Sequence, residues 1–180
     1  MKKIIFILPL LIAFAATDAH AKRYESYISL KLDYVSADAE RLGNSFNGFG
    51  GRFAGGVIYN PKVEWLALRG EAELNYRSMS DNGITINPIG VLFNGYLDFG
   101  PKEWLVRPYV GAGFGWLYIG VKPSNWMDSS AGLVFALHGG ATFSISDEFK
   151  IDAGLRWASM SALDYAVSET GLFAGVRFIF

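Results

Sequence analysis

Apolar residues alternate with polar or small residues along most of the chain. In the last ten residues every second position is apolar, and these positions fall on one side of an extended strand: Leu172, Ala174, Val176, Phe178 and Phe180. Seven further segments alternate in the same way. The period of two therefore predicts eight strands, near residues 24–34, 49–59, 66–77, 89–99, 106–118, 133–145, 149–157 and 169–180.

The connections between these segments are of two kinds, and the two kinds alternate. Short turns are predicted at 60–62, 100–102 and 146–148, and longer polar loops near 36–47, 78–86, 121–131 and 159–168. An even number of antiparallel strands with short turns at one end and longer loops at the other is typical of an outer-membrane barrel. In that arrangement the short turns would be periplasmic.

Alternation alone leaves open which face points inward, because a soluble lipocalin-like binder would place its apolar face inside. Here the polar face combines glycine with charges of both signs: Glu25, Lys31, Asp33, Arg52, Arg69, Glu71, Glu73, Arg77, Asp98, Arg107, Asp152, Arg156 and Arg177. Small residues beside long charged ones suit a narrow interior that must be filled and neutralised. We therefore predict that the apolar face meets lipid.

Aromatic residues of the apolar face gather at the strand ends and predict two rings. Tyr24, Tyr59, Phe99, Phe149 and Phe180 mark the end with short turns, and Tyr34, Phe49, Tyr76, Trp116, Tyr118 and Trp157 mark the other. Ten residues separate Tyr24 from Tyr34, which corresponds to roughly 25 Å at the usual strand rise and tilt. That is the height of an outer-membrane apolar band.

The first 21 residues have the form of an export signal. Lys2 and Lys3 precede an apolar run that is too short to span a membrane as a helix. The sequence Ala19-His20-Ala21 supplies a cleavage site. We predict a signal peptide at 1–21 and one barrel domain at 22–180, in the outer membrane of a Gram-negative bacterium.

Composition narrows the possible functions. Without Lys2, Lys3 and Asp18, the 16 basic and 17 acidic residues of the whole chain become 14 and 16, so nothing favours a nucleic-acid partner. The chain has no cysteine, which excludes disulfides and thiolate metal sites. Hydrophobic residues make up 51% of the chain, yet no later apolar run is long enough for a spanning helix. The apolar residues must therefore lie in strands.

Three segments resemble the small eight-stranded OmpA/OmpX-like outer-membrane family, which includes the opacity-type surface proteins. They are "VLFNGYLDFG" at 91–100, "RPYVGAGFGW" at 107–116 and "GLFAGVRFIF" at 171–180. The resemblance implies an up-and-down β-barrel among outer-membrane lipids including lipopolysaccharide. It also implies that the assembly machinery recognises Phe180. No peptidoglycan-binding domain is expected after Phe180.

His138 is the one histidine beyond the predicted signal peptide. Some eight-stranded outer-membrane barrels modify lipid A with a histidine, a serine and a carboxylate, so an enzyme of this kind is the alternative function. His138 points inward and lacks a serine two residues on. We therefore predict an interior hydrogen-bonding residue and no catalytic, cofactor or metal site.

The expected function is a non-enzymatic, monomeric barrel that supports the envelope or makes surface interactions. An eight-stranded barrel is filled by its own side chains, so at most a small conductance is expected. Its inward charges should form salt bridges. A surface ligand would bind the long loops, one of which carries Trp126 and Met127.

Overall fold

The computed structural model describes residues 24–39, 44–81, 84–122, 128–162 and 165–180. It contains eight antiparallel strands that form a closed barrel, in which each strand pairs with its sequence neighbours and β1 pairs with β8. The strands are β1 Tyr24–Ala39, β2 Asn44–Tyr59, β3 Leu66–Asp81, β4 Ile84–Phe99, β5 Val106–Lys122, β6 Asp128–Ser144, β7 Phe149–Ala162 and β8 Tyr165–Ile179. The predicted fold class is confirmed.

The short connections lie where the alternation breaks, between β2 and β3, β4 and β5, and β6 and β7. We call this the turn end of the barrel and the opposite one the outer end. Among the described residues, no helix is long and apolar enough to span a membrane. The predicted signal peptide at 1–21 lies outside the described residues and stays a prediction.

The predicted long loops are mostly strand, so this part of the prediction is wrong. β1 continues to Ala39 and β2 begins at Asn44, although 36–47 was expected to be a loop. The same holds for 78–86, 121–131 and 159–168, which the strands enter from both sides. Trp126 and Met127 lie outside the described residues. Strands of 16 residues reach on the order of 40 Å, so the barrel extends well beyond a 25 Å apolar band.

The predicted orientation of the faces is correct throughout the band. Leu30, Leu32 and Tyr34 are 47 to 68% exposed on the outside, whereas Lys31 and Asp33 between them are buried. The predicted aromatic rings also face outward. At the turn end the rings of Tyr24 and Tyr59 lie 5.0 Å apart, and towards the outer end those of Tyr34 and Phe49 lie 5.2 Å apart.

Beyond the outer aromatic ring the polarity of the two faces inverts. Among the side chains that the structure describes there, several outward ones are neutral and polar and lie opposite one another on paired strands: Thr170, Ser36, Asn47, Ser80 and Thr85. At the outer end of the interior, partly still at the height of the apolar band, the buried inward side chains are mostly apolar: Val35, Ala37, Phe46, Met79, Leu92, Leu117, Val134 and Met160. We call this inward set the outer apolar layer. It closes the outer end of the barrel interior as a soluble barrel would be closed.

Candidate functional site

The barrel interior brings together the charged side chains that the alternation pointed inward. Of the predicted inward charges, all are buried except Glu25 and Arg107, which are half-buried near the turn end. Lys150 and Glu169 are buried among them as well. Burying so many charges is costly unless each is paired, and the pairs are arranged in three layers.

The layer nearest the turn end is centred on Asp152. Its carboxylate lies 2.6 Å from Arg177 and 3.6 Å from Arg69, and it accepts a hydrogen bond of 2.6 Å from Thr142. Arg69 also pairs with Asp98 at 3.0 Å. Two arginines thus share two carboxylates, which neutralises this layer.

The middle layer is centred on Glu71, which accepts hydrogen bonds from both sides of the interior. Lys31 donates at 2.8 Å, Tyr27 at 2.9 Å and Tyr96 at 2.7 Å, and Asn94 donates at 3.2 Å. A carboxylate with this many donors is held as an anion in one position.

The third layer, towards the outer end, contains two groups of ion pairs. Arg52 donates twice to Asp33, at 2.6 and 2.8 Å, and lies 3.3 Å from Glu73. Glu169 accepts from Arg77 at 3.0 Å and also from Arg156. The outer apolar layer follows.

Aromatic rings fill the space between the ion pairs. The guanidinium of Arg69 lies 4.2 Å from the centre of the Tyr96 ring and 4.9 Å from that of Tyr109. Arg52 lies 4.5 Å from the ring of Phe173. Stacked guanidinium groups gain a cation–π attraction, so these rings replace part of the solvation that the arginines lose.

Gly113 shows how tightly the interior is filled. A Cβ at this position would overlap the side-chain oxygen of Asn94 on the paired strand β4. Asn94 donates to both Glu71 and Glu73, at 3.2 and 3.3 Å. Gly113 therefore leaves room for the side-chain amide of Asn94, which bridges the carboxylates of Glu71 and Glu73.

His138 is buried and points inward, as predicted, but its expected hydrogen bonds are not found. Neither ring nitrogen has a hydrogen-bond partner among the described residues. The ring instead packs against Tyr96, with centres 5.3 Å apart, and is opposite Arg156 in the strand register. No serine or carboxylate therefore activates the imidazole in the described part of the chain.

Several components of the interior, among them Tyr27, Phe173 and the outer apolar layer, were not identified from the sequence. Tyr27 lies on the inward side of β1 and is 1% exposed, and it could have been found because its position has the parity of Ser29 and Lys31. The outer apolar layer could have been found from the same parity, since apolar residues move to inward positions after Tyr34. Within the described ranges, no group of three or more metal-ligating side chains comes together.

The sequence matches a family model described as the outer membrane protein beta-barrel domain over residues 6–178. No curated protein matches significantly. Among solved structures, Neisserial surface protein A is 21% identical and superposes with a TM-score of 0.73. The match covers 86% of this chain and 97% of that one.

Two other solved structures have the same fold at lower similarity. Ail, the attachment invasion locus protein of Yersinia pestis, is 19% identical with a TM-score of 0.59, covering 87% of this chain and 99% of that one. The outer membrane enzyme PagL is 13% identical with a TM-score of 0.54, covering 81% and 97%. At these identities the superpositions show a shared barrel fold.

Proposed function

The chain belongs to the outer membrane protein β-barrel family, which places it in the outer membrane of a Gram-negative bacterium, and from this we propose that it is a non-enzymatic barrel that stabilises the envelope. The interior carries this proposal. Three layers of paired charges fill it, and the outer apolar layer lies across its outer end. Such an interior leaves room for at most a small conductance.

Conductance of the purified protein in a planar bilayer tests the filled interior. We expect at most a small current, with rare openings. A second arm compares cells with and without the protein for their sensitivity to bile salts and detergents. A large and long-lived conductance would contradict the envelope role and indicate that the protein is a channel.

Surface interaction is a second candidate function, and one observation favours it. The barrel extends beyond the outer aromatic ring, and the described outward side chains there include the hydroxyl groups of Ser36, Ser80 and Thr170. Residues at this height lie among the sugars of lipopolysaccharide, where hydroxyl and amide groups can form hydrogen bonds. Binding of labelled lipopolysaccharide with and without its sugar core tests this candidate.

A lipid A-modifying enzyme remains the alternative to be tested, because PagL shares the barrel fold. His138 has no activating partner in the described part of the chain and lies inside a filled barrel, out of reach of an acyl chain. A general base must come within about 3 Å of the proton it removes. Mass spectrometry of lipid A from cells with wild-type protein, His138→Ala protein and no protein should give identical spectra. Loss or gain of one acyl chain with the wild type alone would make the protein an enzyme.

A further inference from the structure

A small cavity lies at the turn end of the barrel interior, and we call it the turn-end cavity. Its volume is about 30 Å³. Its charged lining residues are Glu25, Asp98, Lys102, Arg107, Lys150 and Arg177. The Lys102 side chain is 49% exposed, whereas that of Arg177 is 3% exposed. The cavity therefore leads from solvent to the layer of ion pairs nearest the turn end.

The carboxylates in and beside the turn-end cavity are already paired with cations. The pairs are Glu25 with Lys102, Asp98 with Arg69, and Asp152 with Arg177. These three carboxylates therefore neutralise three of the five cations at this end of the interior. The positive charges of Arg107 and Lys150 remain.

Arg107 and Lys150 have only weak or neutral partners. Lys150 is 7% exposed, and its ammonium donates to the backbone carbonyl of Ser146 at 2.7 Å. A terminal nitrogen of Arg107 donates to the backbone carbonyl of Asp98 at 3.4 Å, which is long for a hydrogen bond. The Nε–H of Arg107 is buried and finds no acceptor among the described residues.

The other buried cations of the described chain differ from Lys150 in this respect. Each of them lies within 4 Å of a carboxylate: Lys31, Arg52, Arg69, Arg77, Arg156 and Arg177. A buried charge without a counter-charge is costly, and so is a buried N–H group without an acceptor. An anion that accepts hydrogen bonds from Arg107 and Lys150 would remove both costs.

The size of the turn-end cavity limits the kind of anion. A cavity needs roughly 10–15 Å³ to hold one water molecule, so about 30 Å³ accommodates two atoms of that size. A carboxylate presents two oxygens, whereas a phosphate presents more. Guanidinium and ammonium groups form short, charge-assisted hydrogen bonds with carboxylates. The hydroxyl of Ser144 also lines the cavity and can donate a further hydrogen bond.

We propose that the turn-end cavity is a binding site for a single carboxylate group. The two oxygens accept hydrogen bonds from the Nε–H of Arg107 and from the ammonium of Lys150. The organic part of the ligand lies outside, beyond the exposed side chain of Lys102. In the predicted orientation this end of the barrel faces the periplasm. The carboxylate is therefore carried by a small molecule or by a peptide C-terminus in that compartment.

The test is an NMR titration of the intact refolded barrel in detergent micelles, in which the Nε–H signal of Arg107 is followed. Sodium acetate, sodium phosphate and sodium chloride are added at the same ionic strength. We expect a saturable shift with acetate, at a half-saturating concentration about fivefold or more below that of the other two salts. The absence of a saturable shift, or the same response to all three salts, would overturn the proposal.

Two peptides distinguish the sources of the carboxylate. One is a short alanine peptide with a free C-terminus, and the other is the same peptide with a C-terminal amide. We expect the free acid alone to shift the Arg107 signal. Equal shifts with both peptides would contradict recognition of a carboxylate. Binding of acetate without binding of the free peptide would support the site and restrict it to small molecules.

Variants of the lining residues should change the affinity for acetate in opposite directions. Lys150→Gln removes a donor and should weaken binding about fivefold or more. Lys62→Gln is the matched control, because Lys62 is an exposed lysine of the turn between β2 and β3 and does not line the cavity. Equal weakening in the two variants would mean that only the general charge of the turn end attracts the anion, and would contradict the site.

Glu25→Gln should have the opposite effect and tighten acetate binding about threefold. It removes a negative charge from the lining and releases Lys102 from its ion pair. The pair is partly exposed, so this variant should fold even if Lys150→Gln does not. Unchanged or weaker binding of acetate by Glu25→Gln would contradict the proposed site.

Discussion

Lys31 and Glu71 form an ion pair of 2.8 Å although their strands do not pair with each other. Strand β2 lies between them, and Lys31 and Glu71 are opposite Arg52 and Gly56 on it. Both side chains therefore extend into the barrel interior and meet there, across the width of β2. Contacts of this kind link strands that share no backbone hydrogen bonds, so the interior restrains the barrel cross-section as a whole.

Loss of the Glu71 carboxylate should destabilise the barrel strongly. Glu71→Ala leaves Lys31 buried without its partner, and breaking a buried pair costs about 3–5 kcal/mol. Urea titration of the protein refolded in lipid vesicles measures this free energy of unfolding. Glu25→Ala is the control, because its pair with Lys102 is partly exposed and such pairs contribute about 0–1 kcal/mol. Equal losses in the two variants would contradict a stabilising role of the interior pairs.

A charge on the outer face should be costly within the apolar band and tolerated beyond it. Leu30 is 54% exposed on that face, and Leu30→Arg should cost about 2–4 kcal/mol in a bilayer. Ser78→Arg, on the same face beyond the outer ring, should cost about 0–1 kcal/mol. The same titration compares the two variants. If they are equally stable, the band does not lie where the aromatic rings place it.

The outer apolar layer should contribute to stability as a protein core does. Phe46 is 2% exposed within it, whereas Phe49 three residues on is 72% exposed on the outer face. Phe46→Ala should cost about 3–5 kcal/mol, as for a buried aromatic residue. Phe49→Ala loses contacts with lipid and one ring, so a smaller loss is expected. A larger loss for Phe49→Ala would mean that the outer end is not closed by a packed layer.

Deletion of Phe180 should lower the amount of folded barrel in the outer membrane. Its backbone N–H donates to the carbonyl of Ser26 at 2.9 Å, and its ring stacks on Phe178. The residue thus completes the closing pair of strands, β8 with β1. We also expect that the assembly machinery recognises it. Heat-dependent gel mobility of outer-membrane fractions measures the folded amount, with Phe178→Ala as a control that keeps the chain length. Wild-type levels after the deletion would contradict this role.

The sequence predicted the fold and the faces because alternation with a period of two is a local property. It failed at the outer ends of the strands. Serine and asparagine in 36–47 are residue types typical of turns and loops, yet here Ser36 and Asn47 are opposite each other on paired strands and face outward. The ion pairs were not predictable either. Partners such as Arg77 and Glu169 are 92 residues apart, and they meet only because the barrel closes with a particular stagger.

The inversion of polarity beyond the outer aromatic ring fixes the depth of the protein in the membrane. A shift of two residues along the strands would move the ring of Ser36, Asn47 and Ser80 into hydrocarbon. Each hydroxyl or amide would then lose its water, at a cost of about 1–3 kcal/mol. A thicker bilayer would also place these side chains in hydrocarbon and impose the same cost. Tilting of the barrel could not return the side chains to water on all sides. The barrel is therefore matched to one membrane thickness, and its stability should be greatest in lipids of that length.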